Sequence, residues 1–229
     1  MASLGAAVTL DRFGVPAARP PAQPVDRATS WTTAQDRDRG EVRITALGTS
    51  LTSRNRWPEL LPGLLAGCLA DSGSAPDVSV EIVASPGASS SWGLQQLDRV
   101  EASAPDLVLI EFAVNDSALH RGMPLASSRS THERLLDQLL DRLPQTAVVL
   151  VTTNPAIGVR GAVRPGLGSY YAMYRELAEQ EQVGLVDLEA RWAVGGAGPL
   201  DDALVDGLHP TATTDERFTA PAVAGALCP

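Results

Sequence analysis

The order of apolar and amphipathic stretches predicts an α/β protein from about residue 41 onward. Short apolar runs with the length of β-strands occur at residues 42–47, 78–83, 106–113, 147–152 and 184–188. Between them, apolar side chains recur every three or four positions, which predicts helices at residues 60–69, 92–102, 135–143, 170–182 and 213–227. This alternation predicts a doubly wound α/β sandwich with a central parallel sheet.

Two local patterns add detail to this prediction. The run at residues 106–113 is nearly all apolar, which is typical of a parallel strand buried on both faces. Ser130 and Glu133 form a capping box, in which a hydroxyl residue precedes an acidic residue by three positions. The capping box predicts that the helix before residue 143 starts near Ser130.

The first 40 residues differ in composition from the rest of the chain. Four prolines interrupt them, and they end in a charged stretch at residues 36–40. Proline-rich segments of this kind favour an extended backbone over a packed core. We therefore expect residues 1–40 to form an extension, docked through Trp31, and residues 41–229 to form a single domain.

Composition and charge exclude several classes of function. The chain has 229 residues with 44% hydrophobic content, which suits one domain with a sizeable core. Its net charge of −9 argues against nucleic acid or an anionic membrane surface as the main partner. All 18 basic residues are arginine, so no lysine is present for Schiff-base chemistry or for anchoring a phosphate. Three histidines and two cysteines do not form a metal-binding pattern, and we expect no metal.

The two cysteines and the opening segment bear on the location of the protein. Cys68 lies in an apolar helical run, which favours a small core residue, and two unpaired thiols are favoured over a bridge between Cys68 and Cys228. No apolar run has the length of a membrane span. The opening segment has no basic region, and Asp11 and Arg12 interrupt it, which argues against a secretory signal. The sequence therefore predicts a cytoplasmic location.

Polar residues suited to acyl transfer follow the predicted strands. Ser50 follows the first strand, Gly87 follows the second and Asn115 follows the third. Asp206 and His209 lie three positions apart before the last helix. Each residue alone has an ordinary explanation as a turn or a helix cap. In an α/β protein, however, the residues that bind and transform a ligand usually lie in the loops after the carboxyl ends of the strands.

Together these five residues contain the groups that acyl transfer needs. His209 would take the proton of Ser50, while Asp206 fixes the imidazole tautomer. The backbone N–H groups of Ser50 and Gly87 and the carboxamide of Asn115 would donate hydrogen bonds to the oxyanion. The sequence thus predicts a serine nucleophile with its base, its acid and its oxyanion hole.

The chain resembles the SGNH (GDSL-type) hydrolase family from residue 44 to residue 210. Four sequence blocks of that family match in order: Gly48-Thr-Ser-Leu51, Pro86-Gly-Ala-Ser89, Ala113-Val-Asn-Asp116 and Asp206-Gly-Leu-His209. The resemblance implies a flavodoxin-like, three-layer α/β/α sandwich and hydrolysis of esters through an acyl-enzyme, with no cofactor. The resemblance implies that Ser50 is the nucleophile and that Gly87 and Asn115 belong to the oxyanion hole. It also implies that Asp206 is the acid and His209 the base.

Two residues depart from the pattern of this family. Thr49 replaces the acidic residue that usually precedes the nucleophile, and Ala113 replaces the usual glycine of the third block. Neither change removes a group that performs chemistry, but both argue against close kinship with the best-known lipase and thioesterase members. Residues 48–52, 111–116 and 164–171 resemble a bacterial subgroup associated with polysaccharide or secondary-metabolite loci.

Other residues have two interpretations each. His120 and His132 lie in or beside the long loop after Asn115, where a solvated side chain is favoured over a contact with substrate. For Arg164, a surface ion pair is favoured over binding of a substrate carboxylate or phosphate. Trp57 and Trp92 either pack against the sheet or line the substrate pocket.

The composition of the loops favours a small acyl group on a polar substrate. Residues 117–130 and 154–169 are rich in Ser, Arg, Gly and Pro, and aromatic residues make up 4% of the chain. We therefore expect a serine esterase that removes short acyl groups, with acetyl favoured, from a saccharide or a glycosylated metabolite. The alternatives are a thioesterase, a lysophospholipase or an acyltransferase with the same triad, and, in another class, a non-catalytic carbohydrate-binding relative. The sequence does not predict an oligomeric state.

Overall fold

Five parallel strands form the middle layer of the protein. The computed structural model describes residues 40–70, 75–195 and 197–228. The strand order is β2-β1-β3-β4-β5, and each adjacent pair is parallel. The strands are β1 (Glu41–Gly48), β2 (Asp77–Ala84), β3 (Leu107–Glu111), β4 (Ala147–Val151) and β5 (Gly184–Val186). The predicted extension, with Trp31, lies outside the described residues apart from Gly40, so the domain boundary stays a prediction.

Helices connect the strands and cover both faces of the sheet. They are α1 (Ser50–Ser53), α2 (Trp57–Leu69), α3 (Ser90–Leu94), α4 (Leu97–Ala102), α5 (Ala113–Asp116), α6 (Leu125–Arg142), α7 (Gly158–Ala162), α8 (Leu167–Gln180), α9 (Leu188–Ala193), α10 (Leu200–Ala203), α11 (Ala212–Thr214) and α12 (Ala220–Leu227). A 3₁₀ turn spans Leu119–Arg121, and a π-helical turn spans Asp215–Thr219. Within the described ranges, no helix is both long enough and apolar enough to cross a membrane.

Two apolar cores, one on each face of the sheet, hold the layers together. The first core packs α4, α6 and α8 on one face, and the second packs α2, α9 and α12 on the other. All five residues of β3, the middle strand, are buried, because helices cover both of its faces. β2 lies at the edge, and two of its eight residues, Val78 and Val83, are buried. These features confirm the α/β/α sandwich with a central parallel sheet.

The register of the strands brings three loops to one edge of the sheet. Gly48, the last residue of β1, pairs with Ala84 at the end of β2 and with Glu111 at the end of β3. The N–H of Ser85 continues this ladder by donating to the Gly48 carbonyl at 3.2 Å. The loops after β1, β2 and β3 therefore start side by side, and these are the loops that carry Ser50, Gly87 and Asn115.

Some helix boundaries differ from the sequence prediction. The helix expected at 92–102 is divided into α3 and α4 by a break at residues 95–96. α6 begins at Leu125 rather than near Ser130, because Pro124 enters in an extended conformation and its carbonyl accepts from the Ser128 N–H at 2.9 Å. The capping box therefore lies inside the helix. The closing helix is interrupted by the π-helical turn just before Pro221, which has no N–H for a regular helical bond.

A disulfide bond joins Cys68 near the end of α2 to Cys228 after α12, and the prediction of two unpaired thiols is wrong. Cys68 lies on the exposed side of α2 rather than in the core. The bridge spans 160 residues, for which the chain-entropy model gives a stabilisation of at most about 5 kcal/mol. Disulfides persist mainly in oxidising compartments, so this bond is an argument against the predicted cytoplasmic location. The location of the protein itself stays a prediction.

Candidate active site

Ser50 lies at the point where β1 ends and α1 begins. Thr49 caps α1 with an extended backbone, and its hydroxyl accepts from the Leu51 N–H at 3.1 Å. Ser50 is buried except for 7% of its surface. Within the described part of the chain, its backbone N–H has no acceptor. Ser50 therefore offers both a hydroxyl and a free N–H at the edge of the sheet.

His209 and Asp206 reach Ser50 from the other end of the chain. The Nε2 atom of His209 lies 2.8 Å from the Ser50 Oγ, and its Nδ1 atom lies 3.0 Å from the Asp206 Oδ1. The N–H groups of Leu208 and His209 also donate to this Oδ1, at 3.2 and 3.0 Å. The structure thus brings Ser50, His209 and Asp206 into one hydrogen-bonded chain, as the sequence predicts.

The loop that carries Asp206 and His209 is closed on itself and anchored to its neighbours. The N–H of Val205 donates to the His209 carbonyl at 2.7 Å. Asn154, which follows β4, donates from Nδ2 to the Leu208 carbonyl at 2.7 Å. Gly207 adopts a φ of +79°, and a β-carbon there would lie 2.8 Å from a backbone carbonyl, so this position requires glycine. These contacts fix the direction of the imidazole.

The environment of Asp206 keeps its carboxyl group ionised. Burial alone would raise the pKa of Asp206, but hydrogen bonds from the His209 backbone, the His209 ring and Arg160 hold this pKa well below its ordinary value. The Arg160 Nη2 donates to the Asp206 Oδ2 at 2.7 Å. An ionised carboxylate can only accept, so the proton of a neutral His209 lies on Nδ1. Nε2 is then free to accept the proton of Ser50.

Gly87 and Asn115 lie together beside this triad. Gly87 has a φ of +79°, and its N–H has no acceptor in the described ranges. Asn115 is buried in α5 and donates from Nδ2 to the carbonyl of Ala88, the next residue after Gly87, at 2.9 Å. An amide nitrogen has two hydrogens, so one N–H of Asn115 remains for a ligand. The site therefore offers three N–H donors, from Ser50, Gly87 and Asn115.

A buried carboxylate holds α5 in place. Asp116 accepts from the Ser90 N–H at 3.0 Å, from the Ser90 hydroxyl at 2.6 Å and from the Ser128 hydroxyl at 2.7 Å. It thereby joins α5 to α3 and α6 next to the Asn115 side chain.

His132 belongs to the same buried network, and the expectation that it is solvated is wrong. Its Nδ1 donates to the Ser128 carbonyl at 2.8 Å, and its Nε2 accepts from the Tyr174 hydroxyl at 2.8 Å. The Tyr174 oxygen accepts in turn from the Phe112 and Ala113 N–H groups. Burial lowers the pKa of His132, which keeps the ring neutral. His120, by contrast, is exposed, as expected.

Arg164 and the two tryptophans have structural contacts. Arg164 is buried rather than part of a surface ion pair, and it donates from Nε to the Val114 carbonyl at 2.7 Å. Trp57 is buried in the core and donates from Nε1 to the Leu51 carbonyl at 2.7 Å. Trp92 packs edge-on against Phe112. For both tryptophans, the contacts favour the interpretation as packing residues.

Glu111 is the residue of this site that the sequence interpretation missed. It ends β3, and its Oε2 accepts from the Thr49 N–H at 3.1 Å, the Thr49 hydroxyl at 2.7 Å and the Thr52 hydroxyl at 3.2 Å. The loop that carries Ser50 is therefore anchored by an acid from the neighbouring strand. Thr49, which departs from the family pattern by not being acidic, therefore donates to an acid from the neighbouring strand. The sequence does contain a signal for Glu111, since it is the one charged residue in the apolar run from Leu107 to Ala113.

The Glu111 carboxyl group holds its proton more tightly than an ordinary glutamate does. Burial raises the pKa of Glu111 from 4.5 to about 7, against the lowering effect of its hydrogen bonds from Thr49 and Thr52. Its second oxygen, Oε1, has no hydrogen-bond partner among the described residues. In the neutral form, the free Oε1 is the better site for the proton, since Oε2 already accepts three hydrogen bonds. Glu111 also lines a small cavity with Asn55 and Thr219.

A family model matches most of the domain. Residues 44–217 match the model of the GDSL-like lipase/acylhydrolase family. No curated protein matches the sequence. Within the described ranges, no group of three or more His, Cys, Asp and Glu side chains is arranged to hold a metal ion.

Solved structures share the fold. A lipase/acylhydrolase from Enterococcus faecalis is 22% identical, with a TM-score of 0.69 over 80% of this chain and 94% of its own. A catalytic mutant of Axe2, an acetylxylan esterase from Geobacillus stearothermophilus, is 17% identical, with a TM-score of 0.66 over 81% and 93%. TesA is 23% identical, with a TM-score of 0.60 over 80% and 97%. At these identities the likeness establishes the fold alone.

The raised pKa of Glu111 predicts a pH-dependent contribution to stability. Because the folded protein holds this proton more tightly than the unfolded chain, the contribution is full below about pH 4.5 and is lost as the pH rises to about 7. The loss amounts to about 3 kcal/mol at most. Glu111→Gln keeps an acceptor for the two threonines and cannot titrate. In denaturant unfolding, the free energy of unfolding of wild type minus that of the variant should therefore fall by up to this amount between pH 4.5 and 8.

Asp215→Asn provides the control for this measurement. Burial raises the pKa of Asp215 from 3.8 to about 6. The difference in unfolding free energy between wild type and Asp215→Asn should therefore become constant about one pH unit below the pH at which the Glu111→Gln difference does. A Glu111→Gln difference that is constant over the whole range would show that the carboxyl group is already ionised in the folded protein at acid pH.

Proposed function

Because the chain belongs to the GDSL-like lipase/acylhydrolase family and is a carboxylic ester hydrolase, we propose that it removes short acyl groups, acetyl in particular, from a saccharide or a glycosylated metabolite. The reaction proceeds through an acyl-enzyme on Ser50. The observation that carries this proposal is the 2.8 Å contact between the Ser50 Oγ and the His209 Nε2, in line with the Asp206 carboxylate.

The first half of the reaction forms the acyl-enzyme. The Ser50 Oγ attacks the ester carbonyl carbon while its proton passes to the His209 Nε2. Asp206 stays ionised and stabilises the imidazolium that results. The carbonyl oxygen gains negative charge and accepts from the three N–H donors of Ser50, Gly87 and Asn115. The imidazolium then gives its proton to the leaving alcohol, the C–O bond breaks, and the acyl group remains on Ser50.

The second half of the reaction releases the acid. A water molecule takes the place of the alcohol and gives a proton to the His209 Nε2 as it attacks the acyl carbon. The same donors stabilise the second oxyanion. His209 then returns the proton to the Ser50 Oγ, and the carboxylic acid leaves. An alcohol in place of water would give acyl transfer, which is the alternative that uses the same residues.

The polar loops around the site support a hydroxylated substrate. The 3₁₀ turn Leu119–Arg121 and α7 each carry one exposed arginine beside one exposed apolar side chain, Leu119 and Val159 respectively, rather than a wholly apolar surface for a long acyl chain. The structural neighbours include both an acetylxylan esterase and a lipase/acylhydrolase, so the fold alone does not choose between these activities. A thioesterase or lysophospholipase would need a longer apolar groove. A non-catalytic carbohydrate-binding relative would have no need for the aligned Ser50, His209 and Asp206.

Ser50→Ala should fold normally and lose ester hydrolysis by about 10³-fold or more, because the triad acts as a unit. Ser53→Ala is the matched control: Ser53 ends the same helix, and its hydroxyl has no hydrogen-bond partner in the described ranges. A fluorophosphonate probe should label wild type and Ser53→Ala but not Ser50→Ala. Full turnover by purified Ser50→Ala would refute the nucleophile assignment.

The acyl half of the proposal predicts a steep dependence on chain length. Values of kcat/KM for p-nitrophenyl esters should be highest for acetyl or butyryl and should fall by about tenfold or more at eight carbons, because methylenes that do not fit a small pocket displace packed side chains at a cost of about 1–3 kcal/mol. The series is measured in one buffer without detergent. An optimum at eight carbons or longer would favour the lipase alternative instead.

A further inference from the structure

Arg121 lies directly beside Gly87 at the proposed oxyanion hole. It ends the 3₁₀ turn Leu119–Arg121, six residues after Asn115, and Gly122 follows with a φ of +61°. The Arg121 Nη2 occupies the space in which a β-carbon on Gly87 would lie. The absence of a side chain at Gly87 therefore allows a guanidinium group to approach one of the three proposed oxyanion donors.

The Arg121 guanidinium has no partner of its own within the described ranges. Its backbone N–H donates to the Ala118 carbonyl at 2.8 Å, but its side chain makes no hydrogen bond or ion pair there. Arg99, Arg142 and Arg175, in contrast, each contact a carboxylate. The chain contains 27 acidic residues, so an arginine without one at this position leaves a cation available for a ligand.

Two further arginines lie on the same side of the site. The Leu119 N–H donates to the Val163 carbonyl at 2.9 Å, which joins the Arg121 turn to the segment that carries Arg160 and Arg164. Burial lowers the pKa of Arg164, and the positive charges of Arg160 and Arg121 lower this pKa further. Arg164 is therefore repelled by both of the other guanidinium groups. Among the described residues, the one carboxylate in contact with any of the three is Asp206, which pairs with Arg160.

We propose that Arg121 binds an anionic group of the ester substrate, a carboxylate or a phosphate, next to the acyl group that is removed. The inference rests on the function proposed above and defines its substrate class as acyl esters of acidic saccharides or sugar phosphates. A guanidinium presents paired donors that match carboxylate and phosphate oxygens. In a protein with a net charge of −9, such a ligand needs a local positive charge to be held at the site.

Three acetylated methyl glycosides that differ only at carbon 6 test this inference. The first carries a hydroxymethyl group, the second a carboxylate and the third a phosphate ester. Wild type should hydrolyse one of the two anionic esters with a kcat/KM about tenfold or more above that of the neutral ester, which is the usual size of a charged hydrogen-bonded contact. The anionic ester that is hydrolysed faster then shows whether the site binds a carboxylate or a phosphate.

Substitution of Arg121 assigns the preference to this side chain. In Arg121→Gln, the ratio of anionic to neutral kcat/KM should fall about tenfold or more, whereas Arg121→Lys should retain part of it. Arg134→Gln, which changes an exposed arginine on α6, is the control and should keep the wild-type ratio. Because each ratio is taken on one enzyme preparation, incomplete folding of a variant cancels from it.

Two results would overturn the inference while leaving the proposed function intact. One is a wild-type enzyme that hydrolyses all three esters equally. The other is an Arg121→Gln variant that loses the same factor on all three, because Arg121 would then act on the common oxyanion rather than on a substrate anion. If wild type hydrolysed none of the three esters and no p-nitrophenyl ester, the proposed function would fail and this inference with it.

Discussion

The hydrogen bonds from the Ser50 loop to the buried carboxyl group of Glu111 are the contacts on which the site depends. Glu111 ends the middle strand of the sheet, and both Thr49 and Thr52 donate to its Oε2. A parallel sheet alone brings strand ends together but does not orient the loops that follow them. The carboxyl group supplies this orientation, at the cost of burying an ionisable group and raising its pKa to about 7.

The proposed active site joins residues from the two ends of the domain. Ser50 and His209 are 159 positions apart, and they meet because the last helix, α12, packs against α2 on the same face of the sheet. The bridge from Cys68 to Cys228 ties these two helices covalently. The closed loop from Asp206 to His209 then places acid and base as one unit. The rigid sheet therefore fixes where the loops begin, and the short polar loops carry the side chains proposed to react.

Much of this arrangement follows from the sequence, because it depends on local periodicity and on the order of motifs along the chain. The five strands and the residues at their carboxyl ends were predicted on that basis. Glu111, His132 and Arg164 were not identified as buried polar residues with structural partners, because those partners lie far away in the sequence. The disulfide was missed for a related reason: two cysteines 160 positions apart give no local signal that their helices are neighbours.

A crystal structure of the protein after reaction with an ethyl phosphonate ester would show which residue is the nucleophile and which groups bind the oxyanion. The tetrahedral phosphonate mimics the intermediate of acyl transfer. We expect a bond from phosphorus to the Ser50 Oγ, with the phosphonyl oxygen about 3 Å from the N–H groups of Ser50 and Gly87 and from the Asn115 Nδ2. A phosphonate attached to another residue, or a phosphonyl oxygen that faces solvent and contacts none of these donors, would contradict this expectation.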